Sequence, residues 1–387
     1  MRRLLFPALA VGLGLVSALL ILAVCELAVR LVKPQRPRGR DRVSTAVAPM
    51  RPAPTHLPIQ LPTRLPHKGP GGFAAAEGRA SRLVAPEGLY AADGDVGARP
   101  AAGYDADVKR LWTDDTVAYR AHYSIDEHRR RRTPNPGPPR PDSLLLLGCS
   151  FTFGEGVDDD QTIAAFAARA QPSFETFNHG IPGGGPGNVL RLSLRDDFTA
   201  GVHGRVKVVY LVIDHQLNRL IGTLDVHRVP GWTSTLPDYR LGAAGAVEWH
   251  GMISQRRLER VVFGALAKSE LLKLANVQLP PRFTDEHFRL FAAVLAELRA
   301  TLERRLPGSE LYIAIHPGSP IGGALVPYLD ERGLQSLDYS QVDLADYIDG
   351  RTELPDRHPT AATNAFLARQ LVTDLRLMPA AGAARHD

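Results

Sequence analysis

From about residue 104 onward, the sequence alternates between short apolar runs and segments with helical spacing. LLLLG at 144–148 is apolar throughout and ends in glycine, which is typical of a strand buried on both faces. RVKVVYLVID at 205–214 is a second run of this kind. Helical spacing follows at 158–170, 185–198, 284–305 and 358–377. Strands alternating with helices predict a three-layer α/β/α fold with a mainly parallel central sheet, in which ligands bind beyond the carboxyl ends of the strands.

The first hundred residues have a different character. Residues 4–25 are 22 residues without a charge, preceded by Arg2 and Arg3, and this is long enough to cross the roughly 30 Å hydrocarbon layer as a helix. Residues 34–70 contain nine prolines, which is typical of a semi-extended tether. The predicted organisation is a signal anchor and transmembrane helix at 1–33, a Pro/Ala/Gly-rich linker at 34–103, a catalytic domain at 104–378 and a disordered tail at 379–387.

The positive charge of the chain is concentrated beside the predicted anchor. Residues 1–42 carry eight Lys/Arg and two Asp/Glu, whereas the whole chain has a net charge of +5, so the remainder is close to neutral. Such a cluster suits anionic lipid headgroups, and nothing in it indicates a nucleic-acid partner. Most of these basic residues follow the apolar run, and the positive-inside rule alone would place the C-terminal side in the cytoplasm.

Ser150 lies just beyond the apolar run 144–148 and before a helical segment. A Gly-x-Ser turn at that place exposes the hydroxyl at the carboxyl edge of the sheet, beside the N–H groups of a helix N-terminus. A nucleophilic serine also needs a base and donors for an oxyanion. Candidates lie at other strand ends, in NHGIPGGGPGN (178–188), IDHQLNR (213–219) and PDRHPT (355–360).

These segments resemble the blocks of the SGNH/GDSL hydrolase family, and of its bacterial, single-pass membrane-anchored members in particular. GCSFTFGEGV is similar to the first block, NHGIPG to the second and DRHP to the last, and YSIDEH at 123–128 is similar to the lead-in of the anchored members. The resemblance covers roughly residues 117–378. It implies a flavodoxin-like SGNH hydrolase fold and a serine esterase that needs no cofactor and no metal.

The resemblance assigns roles to four residues. It implies that Ser150 is the nucleophile and that His358 is the base. Asp356, two residues earlier, is close enough to reach the imidazole and fix its tautomer. The backbone N–H groups of Ser150 and Gly183 are implied to be oxyanion donors, although the glycines that follow Gly183 could take its place.

The third block is where this chain departs from the family. The family pattern is Gly-x-Asn-Asp, whose Asn donates to the oxyanion, but this strand end carries Asp214 and His215. An ionised Asp214 cannot donate, so His215 or Asn218 is expected to be the third donor. Asp214 and His316, which follows another strand, are further candidates for the pocket.

The resemblance implies a membrane-tethered serine esterase that acts through an acyl-enzyme, with an acyl ester on envelope carbohydrate or lipid as its substrate. An O-acyltransferase of cell-envelope carbohydrate is the alternative among enzymes. A catalytically inactive glycan-binding module is the alternative outside them, motivated by Asp214. Members of the family lie outside the cytoplasm, which favours a chain anchored in the inner membrane of a bacterium with its catalytic domain in the periplasm. The distribution of Lys and Arg alone favours the opposite orientation.

Overall fold

The computed structural model describes residues 26–27, 81–86, 88–112 and 114–377. Its strands are β1 (Ser81–Val84), β2 (Tyr90–Asp93), β3 (Gly97–Pro100), β4 (Asp105–Trp112), β5 (Val117–Ser124), β6 (Asp142–Gly148), β7 (Phe174–Gly180), β8 (Val206–Val212), β9 (Pro237–Leu241), β10 (Val247–Met252), β11 (Glu310–Ile315) and β12 (Gln335–Asp338). Its helices are α1 (Ser150–Phe153), α2 (Ile163–Ala170), α3 (Pro186–Ser193), α4 (His215–Ile221), α5 (Leu224–Arg228), α6 (Arg257–Leu266), α7 (Glu270–Leu274), α8 (Asp285–Arg305), α9 (Gly322–Glu331) and α10 (Ala361–Leu377).

Five of the strands form one parallel sheet in the order β12-β11-β8-β6-β7. Numbered by chain order within this sheet alone, the strands follow 2-1-3-4-5, which is the order of flavodoxin-like doubly wound folds. Helices α3 and α8 pack on one face of the sheet, and α2 and α10 pack on the other. The predicted three-layer α/β/α fold with a parallel central sheet is therefore confirmed. β6 and β8 form its switch point, outside which ligands bind in such folds.

The four leucines of β6 explain why this run is continuously apolar. Leu145 and Leu147 pack into the core on the face of α3 and α8, whereas Leu144 and Leu146 pack into the core on the opposite face. Alternate side chains of a strand point to opposite faces, so a strand covered on both sides needs an apolar residue at every position. Burying each leucine contributes roughly 1.5–3 kcal/mol.

Strands β1 to β3 correct the prediction that residues 34–103 form a linker. β1 pairs antiparallel with β4, which pairs antiparallel with β5, and β2 and β3 form a hairpin. The hairpin is held because Val96 at its turn is fully buried in the main core and Arg99 pairs with the buried Asp93 at 2.9 Å. The folded part of the chain thus begins before residue 104.

The predicted membrane anchor and tail fall almost entirely outside the described residues. Of residues 1–33, the structure describes Glu26 and Leu27 alone, and residues 34–80 and 378–387 are also outside it. In the ranges that are described, no helix combines the length and apolar character needed to span a bilayer.

Arg131 is a fully buried cation that fixes the loop after α1. Its guanidinium pairs with the Asp159 carboxylate at 2.5 Å and lies over the rings of Tyr123 and Phe153. It also donates to four backbone carbonyls, those of His122, Phe153, Gly154 and Val157. A buried charge is tolerated only when it is paired and hydrogen-bonded, and here the pairing holds the segment 153–159 against β5.

Replacing Arg131 by Met is expected to lower the free energy of unfolding by about 3–5 kcal/mol, because the Asp159 carboxylate loses its ion pair and the backbone carbonyls bonded to Arg131 lose their donor. The measurement is urea denaturation of the full chain in detergent. Arg120→Met is the matched control, since Arg120 is exposed on β5 and its loss should change stability by at most about 0.5 kcal/mol. Equal effects of the two changes would contradict the role given to Arg131.

Candidate active site

Ser150 is the first residue of α1 and lies at the carboxyl edge of the central sheet. Gly148 makes the turn from β6 possible, because its φ is +151° and a Cβ there would lie 2.3 Å from Thr152 Oγ1. At the end of β7, a Cβ on Gly180 would lie 2.2 Å from the backbone N of Phe153. Two neighbouring strand ends therefore pack directly against α1, and they hold the Ser150 hydroxyl in a fixed place.

His358 and Asp356, in the loop before α10, complete a chain of hydrogen bonds with Ser150. His358 Nε2 lies 2.9 Å from Ser150 Oγ, and His358 Nδ1 lies 2.9 Å from Asp356 Oδ2. The His358 backbone N–H also donates to Asp356 Oδ1 at 3.3 Å. The structure thus brings together the three residues singled out as nucleophile, base and carboxylate. In this geometry Asp356 favours a proton on Nδ1, which leaves Nε2 to accept one from Ser150.

A second carboxylate, that of Glu155, lies beside the same imidazole. Glu155 Oε2 is 3.6 Å from His358 Nε2. Arg110 of β4 lies between the two carboxylates: its guanidinium pairs with Glu155, and its Nε is 3.1 Å from Asp356 Oδ2. The Tyr119 hydroxyl donates to Glu155 Oε1 at 3.2 Å. No motif in the sequence assigns Arg110, Tyr119 or Glu155 to this site.

These charges set the protonation behaviour of the site. Burial alone would lower the pKa of His358, but the Glu155 charge and the hydrogen bond and charge of Asp356 outweigh burial and raise that pKa. Burial alone would raise the pKa of Asp356, but the hydrogen bond and charge of His358 and the charge of Arg110 hold that pKa below its ordinary value. The surroundings of His358 therefore favour the imidazolium that forms when it takes a proton.

The same side chains are the candidates for holding a metal ion among the described residues. One atom each of Glu155, Asp356 and His358 lies within 4.8 Å of the others. Each of these groups is already engaged, since Arg110 pairs with both carboxylates and His358 bonds to Ser150 and Asp356. The fixed positive charge of Arg110 also opposes a cation there, so the set suits proton transfer.

The glycine loop after β7 presents one backbone N–H that the loop itself does not use. Gly184 donates its N–H to a carbonyl of the loop at 2.8 Å, and Gly185 donates its N–H to the Asn188 side chain at 2.8 Å. Within the described part of the chain, the N–H groups of Gly183 and Ser150 have no acceptor. Of the three consecutive glycines, Gly183 is therefore the one whose N–H is available to a ligand.

Two side chains of the segment between β8 and β9 hold this loop from behind. Trp232 donates its indole N–H to the Gly183 carbonyl at 2.9 Å. The buried Arg219 donates to the Gly184 carbonyl at 2.7 Å, and its guanidinium lies over the Trp232 ring. Neither residue carries a motif that sequence analysis could recognise.

The end of β8 carries the candidates for a third oxyanion donor. Asp214 precedes α4, His215 is exposed at its first position, and Asn218 is half-buried one turn later. The side chains of His215 and Asn218 make no hydrogen bond to another described residue. The structure therefore leaves both side chains as candidates.

His316, at the end of β11, is separated from His358 by one aromatic ring. The Phe151 ring contacts His316 edge-on with a centroid distance of 5.1 Å, and it lies 5.5 Å from the His358 ring. Burial lowers the pKa of His316 to about 4. The Pro317 hydrogen bond and the Asp214 charge act to raise this pKa, but burial outweighs them. His316 is thus a neutral, buried ring behind Phe151.

Comparisons with known proteins give distant likenesses. No protein-family model matches the sequence, and no curated protein matches it. An acetyl xylan esterase from Butyrivibrio proteoclasticus is 11% identical with a TM-score of 0.38, over 72% of this chain and 72% of that one. A family two carbohydrate esterase from Clostridium thermocellum, in complex with cellohexaose, is 10% identical with a TM-score of 0.37, over 76% of this chain and 98% of that one.

A further solved structure is that of a G-D-S-L family protein described as lipolytic, from Desulfitobacterium hafniense. It is 13% identical with a TM-score of 0.32, over 60% of this chain and 98% of that one. Likenesses at this distance do not define a family for the chain, so its function is argued from the site itself.

Replacing Glu155 by Gln is expected to move the pH dependence of Ser150 reactivity to lower pH. The reactive form of His358 is neutral, so the reaction rate rises as the pH passes upward through the His358 pKa. Because Glu155 raises that pKa, its removal lowers the midpoint. The measurement is the rate of fluorophosphonate labelling between pH 5 and about pH 9.

Asp160→Asn is the control for this shift, because Asp160 is an exposed carboxylate in the same segment. In Asp160→Asn, the pH midpoint of the labelling rate should equal that of the unchanged protein. An unchanged midpoint in Glu155→Gln would show that Glu155 does not act on His358.

Proposed function

We propose that this chain is a serine ester hydrolase of the SGNH type. The observation that carries the proposal is the continuous hydrogen-bonded chain from Ser150 through His358 to Asp356 at the carboxyl edge of a parallel sheet. His358 Nε2 accepts the Ser150 proton as Oγ bonds to the ester carbonyl carbon. It then returns that proton to the departing alcohol, which leaves an acyl-enzyme. Water attacks the acyl-enzyme in the same way, releasing the acid and restoring Ser150.

The proposed oxyanion donors are the N–H groups of Ser150 and Gly183. Both are free of other acceptors in the described residues, and a helix N-terminus adds positive potential at Ser150. His215 or Asn218 is proposed as the third donor. Asp214 and His316 are proposed as residues of the surrounding pocket.

For the substrate we propose an acyl ester on envelope carbohydrate or lipid, as the family resemblance implies. We further propose that residues 4–25 anchor the chain by a single span in the inner membrane of a bacterium, with the catalytic domain on the periplasmic side. A sugar hydroxyl that attacks the same acyl-enzyme in place of water would make the protein an O-acyltransferase, which the reaction products distinguish.

Fluorophosphonate labelling of the full chain in detergent tests the proposal. The label is expected on Ser150, and His358→Ala and Asp356→Asn should each slow labelling, by as much as about 10⁴-fold for a disrupted triad. Cys149→Ala, which removes the neighbouring thiol, should leave labelling unchanged. A folded chain that takes no label on Ser150 would falsify the hydrolase and favour a glycan-binding module instead.

Two uncharged changes identify the third oxyanion donor. Asn218→Leu removes an amide donor without adding a charge, and His215→Phe removes a ring N–H while keeping a ring. Loss of a true oxyanion donor costs on the order of 100- to 1000-fold in rate. One of the two variants is therefore expected to lose labelling rate on that scale and the other to lose little. If both keep their rate, the site uses backbone donors only.

A further inference from the structure

The segment between β10 and α8 carries an apolar stripe that faces outward. Leu258, Val261, Val262 and Ala265 of α6 follow the i, i+3, i+4, i+7 spacing of one helix face. Leu258 is 79% exposed, Val261 68% and Val262 44%, and Ala265 is exposed as well. Leu274, at the end of α7, is 72% exposed. A surface helix normally turns such a stripe toward the core. The five side chains Leu258, Val261, Val262, Ala265 and Leu274 are here called the α6 stripe. Because they face outward, they are suited to an apolar partner outside the domain.

Basic side chains border the α6 stripe. Residues 256–274 contain five Lys/Arg and two Asp/Glu. Arg257 and Arg260 are exposed on α6, and Lys268 is exposed just after it. A short helix with an outward apolar face and basic flanks has the character of one that lies in the plane of an anionic bilayer interface.

The residue that follows the long uncharged run is bonded to the same region. The Glu26 carboxylate accepts hydrogen bonds from the Ser269 hydroxyl at 2.8 Å and from the backbone N–H groups of Glu270 at 2.6 Å and Leu271 at 2.9 Å. A carboxylate at the first turn of a helix is electrostatically favourable. Glu26 comes directly after residues 4–25, the proposed membrane span, so this contact places α6 and α7 where the chain would leave the bilayer.

We propose that the α6 stripe lies in the headgroup region of the membrane in which residues 4–25 are anchored. The proposal rests on that anchor and not on the esterase chemistry. The contact of Glu26 with α7 positions this region at the bilayer surface. The stripe makes the apolar contact with lipid, and the basic flanks attract anionic headgroups. The domain is then held against the bilayer surface rather than at the end of a spacer.

Packing connects this face to the oxyanion loop. Phe263, on the inner side of α6, contacts the His227 ring of α5 at a centroid distance of 5.1 Å. Trp232 packs on a buried cluster made of Val226, Leu236 and Ile253. Trp232 in turn donates to the Gly183 carbonyl. The membrane-facing helix therefore belongs to the same packed unit as the loop that would hold the oxyanion, which favours an ester presented at the bilayer surface.

The test places a fluorescent probe in the stripe of the full chain. Val262→Cys, on a Cys25→Ser background, is labelled with an environment-sensitive dye; Cys149 is fully buried and is not expected to react. The chain is reconstituted in vesicles of phosphatidylcholine and phosphatidylglycerol that contain lipids with a nitroxide near the headgroup. Arg369→Cys is the control site, since Arg369 is exposed on α10 at the opposite face of the sheet.

The nitroxide lipids are expected to lower the dye fluorescence at position 262 at least about twofold more than at position 369, because a dye in the headgroup region meets the quencher. Adding Leu258→Glu and Val261→Glu should abolish this difference in quenching, because the two charges weaken the contact with lipid. Both side chains are exposed, so the changes should not disturb the packed core.

Three results would overturn the proposal. If quenching is equal at the two sites and the chain stays with the vesicles in alkaline carbonate, the anchor is present but the α6 stripe does not contact the bilayer. A dye at position 262 that is shielded from both lipid nitroxide and aqueous iodide shows that protein covers the stripe. A chain extracted by carbonate lacks the anchor on which the contact depends. Fluorophosphonate labelling of the same vesicles reports on the esterase separately.

Discussion

The shared direction of the five central strands is the constraint on which the site depends. Parallel strands bring all their carboxyl ends to one edge of a sheet, whatever the distance between them along the chain. Ser150 after β6, Gly183 after β7, Asp214 after β8 and His316 after β11 are therefore gathered at that edge. Asp356 and His358 lie farther from a strand end, in the loop between β12 and α10.

The electrostatics of the site favour movement of a proton toward His358. With Arg110 charged and both Glu155 and Asp356 ionised, the buried set carries one net negative charge while His358 is neutral. Transfer of the Ser150 proton places a positive charge on His358 beside the two carboxylates, which is favourable in a poorly solvated environment, while the negative charge passes to the carbonyl oxygen of the ester that Ser150 attacks. Arg110 comes from β4, so the antiparallel sheet of β1, β4 and β5 contributes to the site as well as to the fold.

Local signals in the sequence were sufficient for the central strands β6 and β8 and for the serine turn. The continuous apolar run of β6 predicts a strand covered on both faces, and the glycine that ends it predicts the turn at Ser150. Asp356 and His358 are two residues apart, so their contact is also local. The contact of Arg110 with Asp356 joins distant parts of the chain, and no spacing rule reaches it. Glu155 stands between two glycines and resembles a solvated loop residue, although it is buried.

The strands ahead of residue 104 escaped prediction for a similar reason. β1, β2 and β3 have four residues each, which is too short to show a period against an Ala/Gly/Pro-rich background. What orders the hairpin is the insertion of Val96 into a core built by later parts of the chain, together with the Asp93–Arg99 pair. Tertiary contacts of this kind override the preference that composition indicates. The linker prediction was therefore wrong for strands β1, β2 and β3.

The attachment of the glycine loop after β7 to the outward-facing helix bears on the choice of substrate. A domain on a flexible spacer presents its active site in every orientation, whereas a domain fixed at the bilayer through one packed unit keeps its catalytic edge at a constant height and angle. A fixed orientation raises the effective concentration of the serine toward an ester confined to the same membrane. It gives no such gain toward a substrate that diffuses freely in solution. Contact of the α6 stripe with lipid therefore favours a membrane-borne acyl ester over a soluble acylated glycan.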